Sequence, residues 1–310
     1  MDVKLYIEEG LGSGGLKSIM SQLVTSIAER VGVDTALVET VAVATDETYG
    51  QAVNDLFPGS GYTDNSGYLG VGKTETHVVK GTPSHRILFH AYVMELCLQG
   101  FMSVGENLMD WPADLQYGPF IISHELGHCR FNETAPRNVY ELNELRLQHD
   151  DFDAINNHQF SVLVGEAGAC FYGDRYYTDS FFKHACEQEL SPLNKTKTAL
   201  DRAKTEKNIQ NVAYLANGLA WLYPIQFTKI AAGIYKTALG NSSIVPPSEL
   251  ADFSEIHNLL TFGVEEFFKS ELKDMSGFRE NIDLARGMIL EHHLSVKISK
   301  ENGGWLCFWS

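Results

Sequence analysis

Ile122-Ser123-His124-Glu125-Leu126-Gly127-His128 is the stretch that decides how this chain is read. It lies in a run from about Leu115 to Phe131 that reads as one helix, limited by Pro136. Four residues advance about 400° around a helix, so the imidazoles of His124 and His128 leave one face roughly one turn apart. That separation suits two nitrogens converging on a single Zn²⁺ at about 2.0–2.1 Å. Glu125 lies about 100° further round, where its carboxylate meets a water activated by the ion rather than the ion itself. Neutral imidazoles leave zinc its Lewis acidity, the pKa of the activated water falls to about 7, and a carboxylate can then take its proton. The flanking Ile121, Ile122, Leu126, Cys129 and Phe131 carry no charge, so the back of this helix can be buried. Gly127 costs about 1 kcal/mol of helix propensity and points to a neighbour that approaches closely.

A catalytic zinc site usually has three protein ligands. Glu166 is the candidate for the third. It lies in Val162–Asp174 (VLVGEAGACFYGD), a segment apolar enough for a buried helix, with Ala167, Gly168 and Ala169 beside it to let two helices pack closely. Two alternatives stay open. Glu144 follows His128 by 16 residues, but its setting, ELNELRLQHDD, is charged and suits a solvated face, as do Asp150, Asp151 and Asp153. Cys97 sits in Glu95-Leu96-Cys97-Leu98, which faintly resembles the cysteine-ligand segment of peptide deformylases, with Leu96 where those have glycine.

The ISHELGH run resembles the active-site helix of the zincin metallopeptidases, the gluzincin branch most nearly, and its HELGH form is similar to that of ImmA/IrrE-like peptidases. The resemblance spans about residues 86–175 and rests on the motif. It implies a sheet packed on two metal-bearing helices, Zn²⁺ held by His124, His128 and Glu166, and Glu125 as general base in peptide hydrolysis. The glutamate-bearing helix of gluzincins often has an acid four residues on, bonded to a ligand histidine. Cys170 holds that position here, which leaves the histidine's outer partner open, with Asp174 as a weak substitute. Tyr172, Tyr176, Tyr177 and His184 follow Glu166 and are candidate donors to a tetrahedral oxyanion.

Gly67–Thr74 (GYLGVGKT) matches the phosphate-loop pattern GxxxxGK[ST] letter for letter. A working phosphate loop follows an apolar strand and opens a helix. GYTDNS precedes this one and ETHVVKGTP follows it, so a structural turn or hairpin is expected.

Composition and charge narrow the function class. Net charge is −16 over 310 residues, which repels phosphate backbones and makes nucleic acid an unsuitable partner. Five separated cysteines, odd in number and without a CxxC pair, suit reduced thiols in a cytoplasm. The start, MDVKLYIEEG, carries acids where an export signal carries an apolar run. The uncharged stretch Asn208–Thr228 contains Asn211, Asn217, Pro224 and Gln226, so a buried helix is expected there and no membrane span.

The expected fold class is α+β. Strands are expected at Val3–Ile7, Val38–Ala44, within Tyr68–Val79 and at Arg86–Ala91, with helices at Leu16–Val31 and Glu47–Leu56. After the motif helix, an exposed helix is expected over Val139–Phe152 and one or two buried helices over Phe160–Cys186. Helices then follow from Lys195, with stripes at Val212–Leu222, Leu250–Phe268 and Phe278–Leu294. A hairpin about Asn302-Gly303-Gly304 ends the chain. The domain division expected is 1–190, catalytic, and 191–310, mainly helical. The activity expected is zinc-dependent hydrolysis of a peptide or protein, with two alternatives: a deformylase-like zinc amidohydrolase acting on a small amide, or a metal-binding interaction protein that does not cleave.

Overall fold

The computed structural model describes residues 1–7, 13–58, 71–134, 152–173, 178–239, 254–293, 296–301 and 304–309. The expected helix over Val139–Phe152 lies almost wholly outside them. Two compact units are present: Met1–His149 with Gly168–Phe181, and Asp150–Ala167 with Phe182–Ser310.

The first unit is built on a mixed four-stranded sheet in the order β1-β2-β4-β3. β1 (Asp2–Tyr6) and β4 (Thr82–His90) run parallel to β2 (Val38–Ala44), and β3 (Gly72–Val79) runs antiparallel to β4. β2 is the central strand. Val41, Ala42, Val43 and Ala44 are all buried, as a strand covered on both faces requires. Lys80 and Gly81 connect β3 to β4 with φ of 53° and 82°, both in the left-handed region that a two-residue hairpin of this kind demands. This turn sets the pairing of Thr74 with Ile87 and of Thr76 with His85.

Opposed residues share a face, so Gly72, Thr74, Thr76, His85, Ile87 and Phe89 look one way, with Val41 and Val43 of β2. The other face, at Ala42, Ala44 and Leu88, is covered by Tyr49, Ala52, Val53 and Leu56 of α2 (Tyr49–Leu56). α1 (Ser13–Val31) buries Met20, Val24, Ile27 and Ala28. His90 caps α3 (Ala91–Ser103), accepting a hydrogen bond from the Tyr92 amide, so β4 passes directly into the helix.

α4 (Ala113–Thr134) is the motif helix, and it packs against α1, α3, β3 and β4. It is more deeply set than the sequence suggests: every residue from Gly118 to Gly127 is buried, the charged ones included. α5 (Phe152–Gly173) carries Glu166, and its C-terminal turns from Gly168 belong to the sheet-bearing unit.

The second unit is mainly helical: α6 (Asp179–Thr205), α7 (Ile209–Leu239), α8 (Ser254–Lys269) and α9 (Met275–Met288), then the hairpin β5 (Val296–Glu301) and β6 (Gly304–Trp309). α7, α8 and α9 pack on one another, and the rings of Phe267 and Phe278 stack 4.4 Å apart. α6 runs unbroken through Pro192 and joins the stretch expected to end near Cys186 to the one expected to begin at Lys195. Proline costs about 3 kcal/mol inside a helix, but Phe181, Phe182, Cys186, Leu193, Leu200 and Ala203 are buried along α6 and their burial outweighs that cost. The fold is α+β, as expected. Among the described residues, no helix is long and apolar enough to cross a membrane.

Candidate metal centre

The packing of α4 on the end of α5 depends on small residues. A Cβ at Gly127 would collide with the carbonyl oxygen of Ala169 and reach 2.9 Å from the amide of Gly173. Ser123 donates a short hydrogen bond to the carbonyl of Gly173, tying the two helices together. The close approach inferred from Gly127, and from the Ala167-Gly168-Ala169 run opposite it, is therefore realised.

Helical spacing places the two histidines as predicted. The rings of His124 and His128 lie 5.0 Å apart between centroids, at 86° to each other. Glu166 lies on α5, one turn before Cys170. Histidine nitrogens of His124 and His128 and a carboxylate oxygen of Glu166 all fall within 4.8 Å of one another. Donors about 2.1 Å from an ion at tetrahedral angles are roughly 3.4 Å apart, so changes on the order of 1 Å bring the three into coordination. Two imidazoles and a carboxylate are a donor set that zinc accepts, and the set leaves a fourth position open. The three form a site able to hold a metal ion.

Glu166 also has a partner in the protein. Lys229 Nζ on α7 lies 3.1 Å from Glu166 Oε2 and 3.7 Å from Glu189 Oε2 on α6. A buried carboxylate needs a charged or donating neighbour, and this lysine supplies one without any metal. The case for Glu166 as a ligand therefore rests on its convergence with the histidines, not on its burial. A carboxylate has about four acceptor positions, so an ion pair on Oε2 leaves capacity for an ion.

Cys170 Sγ lies 3.9 Å from His124 Nδ1. The position four residues after Glu166 does meet the histidine, although its side chain is a thiol. Asp174 lies outside the described residues, as do Glu144, Tyr176 and Tyr177. Tyr172 is placed; its hydroxyl accepts a hydrogen bond from Thr134, six residues beyond His128. His184 is on α6. Cys97 is buried against Gly118, whose Cβ would come within 2.9 Å of its Sγ, and burial pushes its thiol well above the ordinary value. Gly118 precedes His124 by six residues, about 9 Å along the helix, and no metal-holding cluster among the described residues includes Cys97. The Cys129 thiol is likewise held high, by burial and then by the charges of Glu125 and Glu133.

Glu125 is 6% exposed and His124 7%. Thr74 on β3 donates to Glu125 Oε2 at 2.7 Å, and its hydroxyl is 3.2 Å from the Glu125 carbonyl oxygen. Two residues along β3, Asn132 donates to the Thr76 hydroxyl at 2.6 Å, and Thr76 Oγ1 is 3.0 Å from Nδ1 of the buried His85. Nε2 of His85 is 3.5 Å from Glu133. Glu125 and Asn132 are seven residues apart, so they lie within about 20° of one helix face. That face runs along β3.

The sequence does not connect Lys229 with Glu166, nor the Gly72 and Thr74 of the phosphate-loop match with Glu125. Thr74 is 51 residues from Glu125, and only strand pairing brings it there. No alternation marked it: residues 73–77 (KTETH) are all polar, so the sequence does not say which of them face α4.

No family model, curated protein or solved structure matches this chain.

Proposed function

We propose that this chain is a zinc-dependent peptidase of the HExxH type, with His124, His128 and Glu166 as the ligands and Glu125 as the general base. The observation that carries the reading is the convergence within 4.8 Å of His124 and His128 on α4 with Glu166 on α5, beside a Glu125 that α4 holds buried and hydrogen-bonded. A zinc ion there would supply Lewis acidity, polarising a carbonyl and lowering the pKa of water to about 7.

The chain's own residues do the rest. Glu125 accepts a proton from the attacking water and later gives it to the leaving amine. Its buried setting keeps bulk water from competing for that proton. Lys229 offsets the charge of Glu166. β3 is an edge of the sheet among the described residues, and it passes beside Glu125 through Thr74. An edge strand presents backbone donors and acceptors to which an extended peptide adds as a further strand. This favours a peptide over a small amide. The buried, neutral Cys97 lends no support to deformylase-like chemistry.

Glu125→Gln tests the reading. The amide keeps the shape but cannot take the water's proton. The variant should hold zinc as wild type does and cleave a mixture of fluorogenic peptides about 10²–10⁴-fold more slowly. Cleavage at the wild-type rate would remove Glu125 from the role. Zinc-loaded wild type that cleaves none of the mixture would make the chain a metal-binding protein and not a peptidase.

A further inference from the structure

We propose that Thr74 is a positioning residue for Glu125, fixing its carboxylate from the edge strand while Gly72 provides the room; the proposal rests on Glu125 being the base. Three observations on β3 converge. The Thr74 hydroxyl has one proton, and the nearer acceptor is Glu125 Oε2 at 2.7 Å, against 3.2 Å for the carbonyl. A Cβ at residue 72 would stand 2.6 Å from Glu125 Oε1 and 2.8 Å from its Cγ, so the carboxylate lies in space that only glycine leaves. Residues 72 and 74 are on one face of β3, and the register that aims them at α4 is set by the Lys80-Gly81 turn.

The chemistry needs such a device. The last torsion of a glutamate side chain is broad, so burial alone does not choose which oxygen faces the reacting water. Threonine is stiff at χ1, so its hydroxyl direction follows from the backbone of β3. The hydrogen bond to Oε2 holds the carboxylate in one orientation, with Oε1 above Gly72. Thr76 with Asn132 makes a second tie between β3 and α4, which keeps the strand from sliding along the helix. Gly72 and Thr74, from the end of the GxxxxGK[ST] match, thus face a carboxylate.

The test compares zinc-loaded wild type, Thr74→Val and Thr74→Ser by crystal structure, zinc titration and steady-state kinetics on the fluorogenic peptide mixture. Valine keeps the shape and removes the donor. In Thr74→Val the carboxylate should leave its wild-type orientation, zinc affinity should stay the same, and kcat should fall about 10²-fold, the scale of a misplaced catalytic group, with KM little changed. Thr74→Ser should restore both orientation and kcat, which a merely structural role would not require. Thr74→Val with Glu125 in place and full kcat would overturn the proposal, and if Glu125→Gln were inactive in the same assay the base reading would survive that failure. Should Thr74→Val not fold, the wild-type crystal structure decides: Thr74 Oγ1 beyond hydrogen-bond reach of both Glu125 carboxylate oxygens overturns the proposal. Cleavage by Glu125→Gln at wild-type rate would end the base reading and this inference together.

Discussion

A single methyl group at residue 127 has nowhere to go. The Ala169 carbonyl lies where it would stand, and that oxygen belongs to the backbone of α5 and cannot rotate away. Gly127→Ala gains about 1 kcal/mol of helix propensity but forces α4 and α5 apart, at a cost of about 1–3 kcal/mol or more. Urea unfolding should show a lower midpoint, and zinc titration a weaker site, because the same displacement moves Glu166 from the histidines. A variant as stable as wild type, with unaltered zinc affinity, would contradict the packing described. At this scale the sequence was legible where spacing alone determines geometry, as for His124 and His128. It was not legible where a partner is remote: nothing near Glu166 in the chain announces Lys229.

Among elements, β3 and α8 make contrasting predictions. Lys73 Nζ lies 5.1 Å from the centre of the Phe57 ring, a contact worth about 0.5–1 kcal/mol. Lys73→Ala should lose no more stability than that, in urea, and should keep its zinc. Calorimetry should detect no ATP binding to wild type; binding that Lys73→Ala abolishes would restore the phosphate-loop reading. On α8, burial holds the His257 imidazole below its ordinary value of 6.5. The fold therefore favours the neutral ring. Its contribution is complete above about pH 6.5, where the unfolded group has lost its proton, and is lost as pH falls through the lower folded value. Wild type should lose urea stability between pH 7 and pH 5, and His257→Leu should lose less; identical losses would contradict the assignment. β2 was legible from its β-branched run and α4 from its apolar flanks. The passage of α6 through Pro192 was not, since local propensity is silent about the burial of Leu193 and Leu200 that sustains it.

For the whole molecule, the order of strands and helices and the α+β class followed from hydrophobic periodicity, which reports what each element buries. Which residues meet across elements did not, because the contacts of Thr74 with Glu125 and Lys229 with Glu166 depend on register and packing that no short window contains. A ligand that binds only the folded chain stabilises it by mass action, about 2.7 kcal/mol at a concentration 100 times Kd. Zinc should therefore raise the melting temperature, and a chelator should lower it. The most direct test of the account is the zinc content and affinity of purified wild type, His124→Ala/His128→Ala and Glu166→Ala, measured by elemental analysis and titration against a competing chelator. Cys97→Ala and Glu144→Ala serve as controls, and each variant is first shown to be folded. The account predicts one zinc per chain in wild type and both controls, none in the double histidine variant, and greatly weakened binding in Glu166→Ala. Stoichiometric zinc in the double histidine variant, or wild-type affinity in Glu166→Ala, would contradict it.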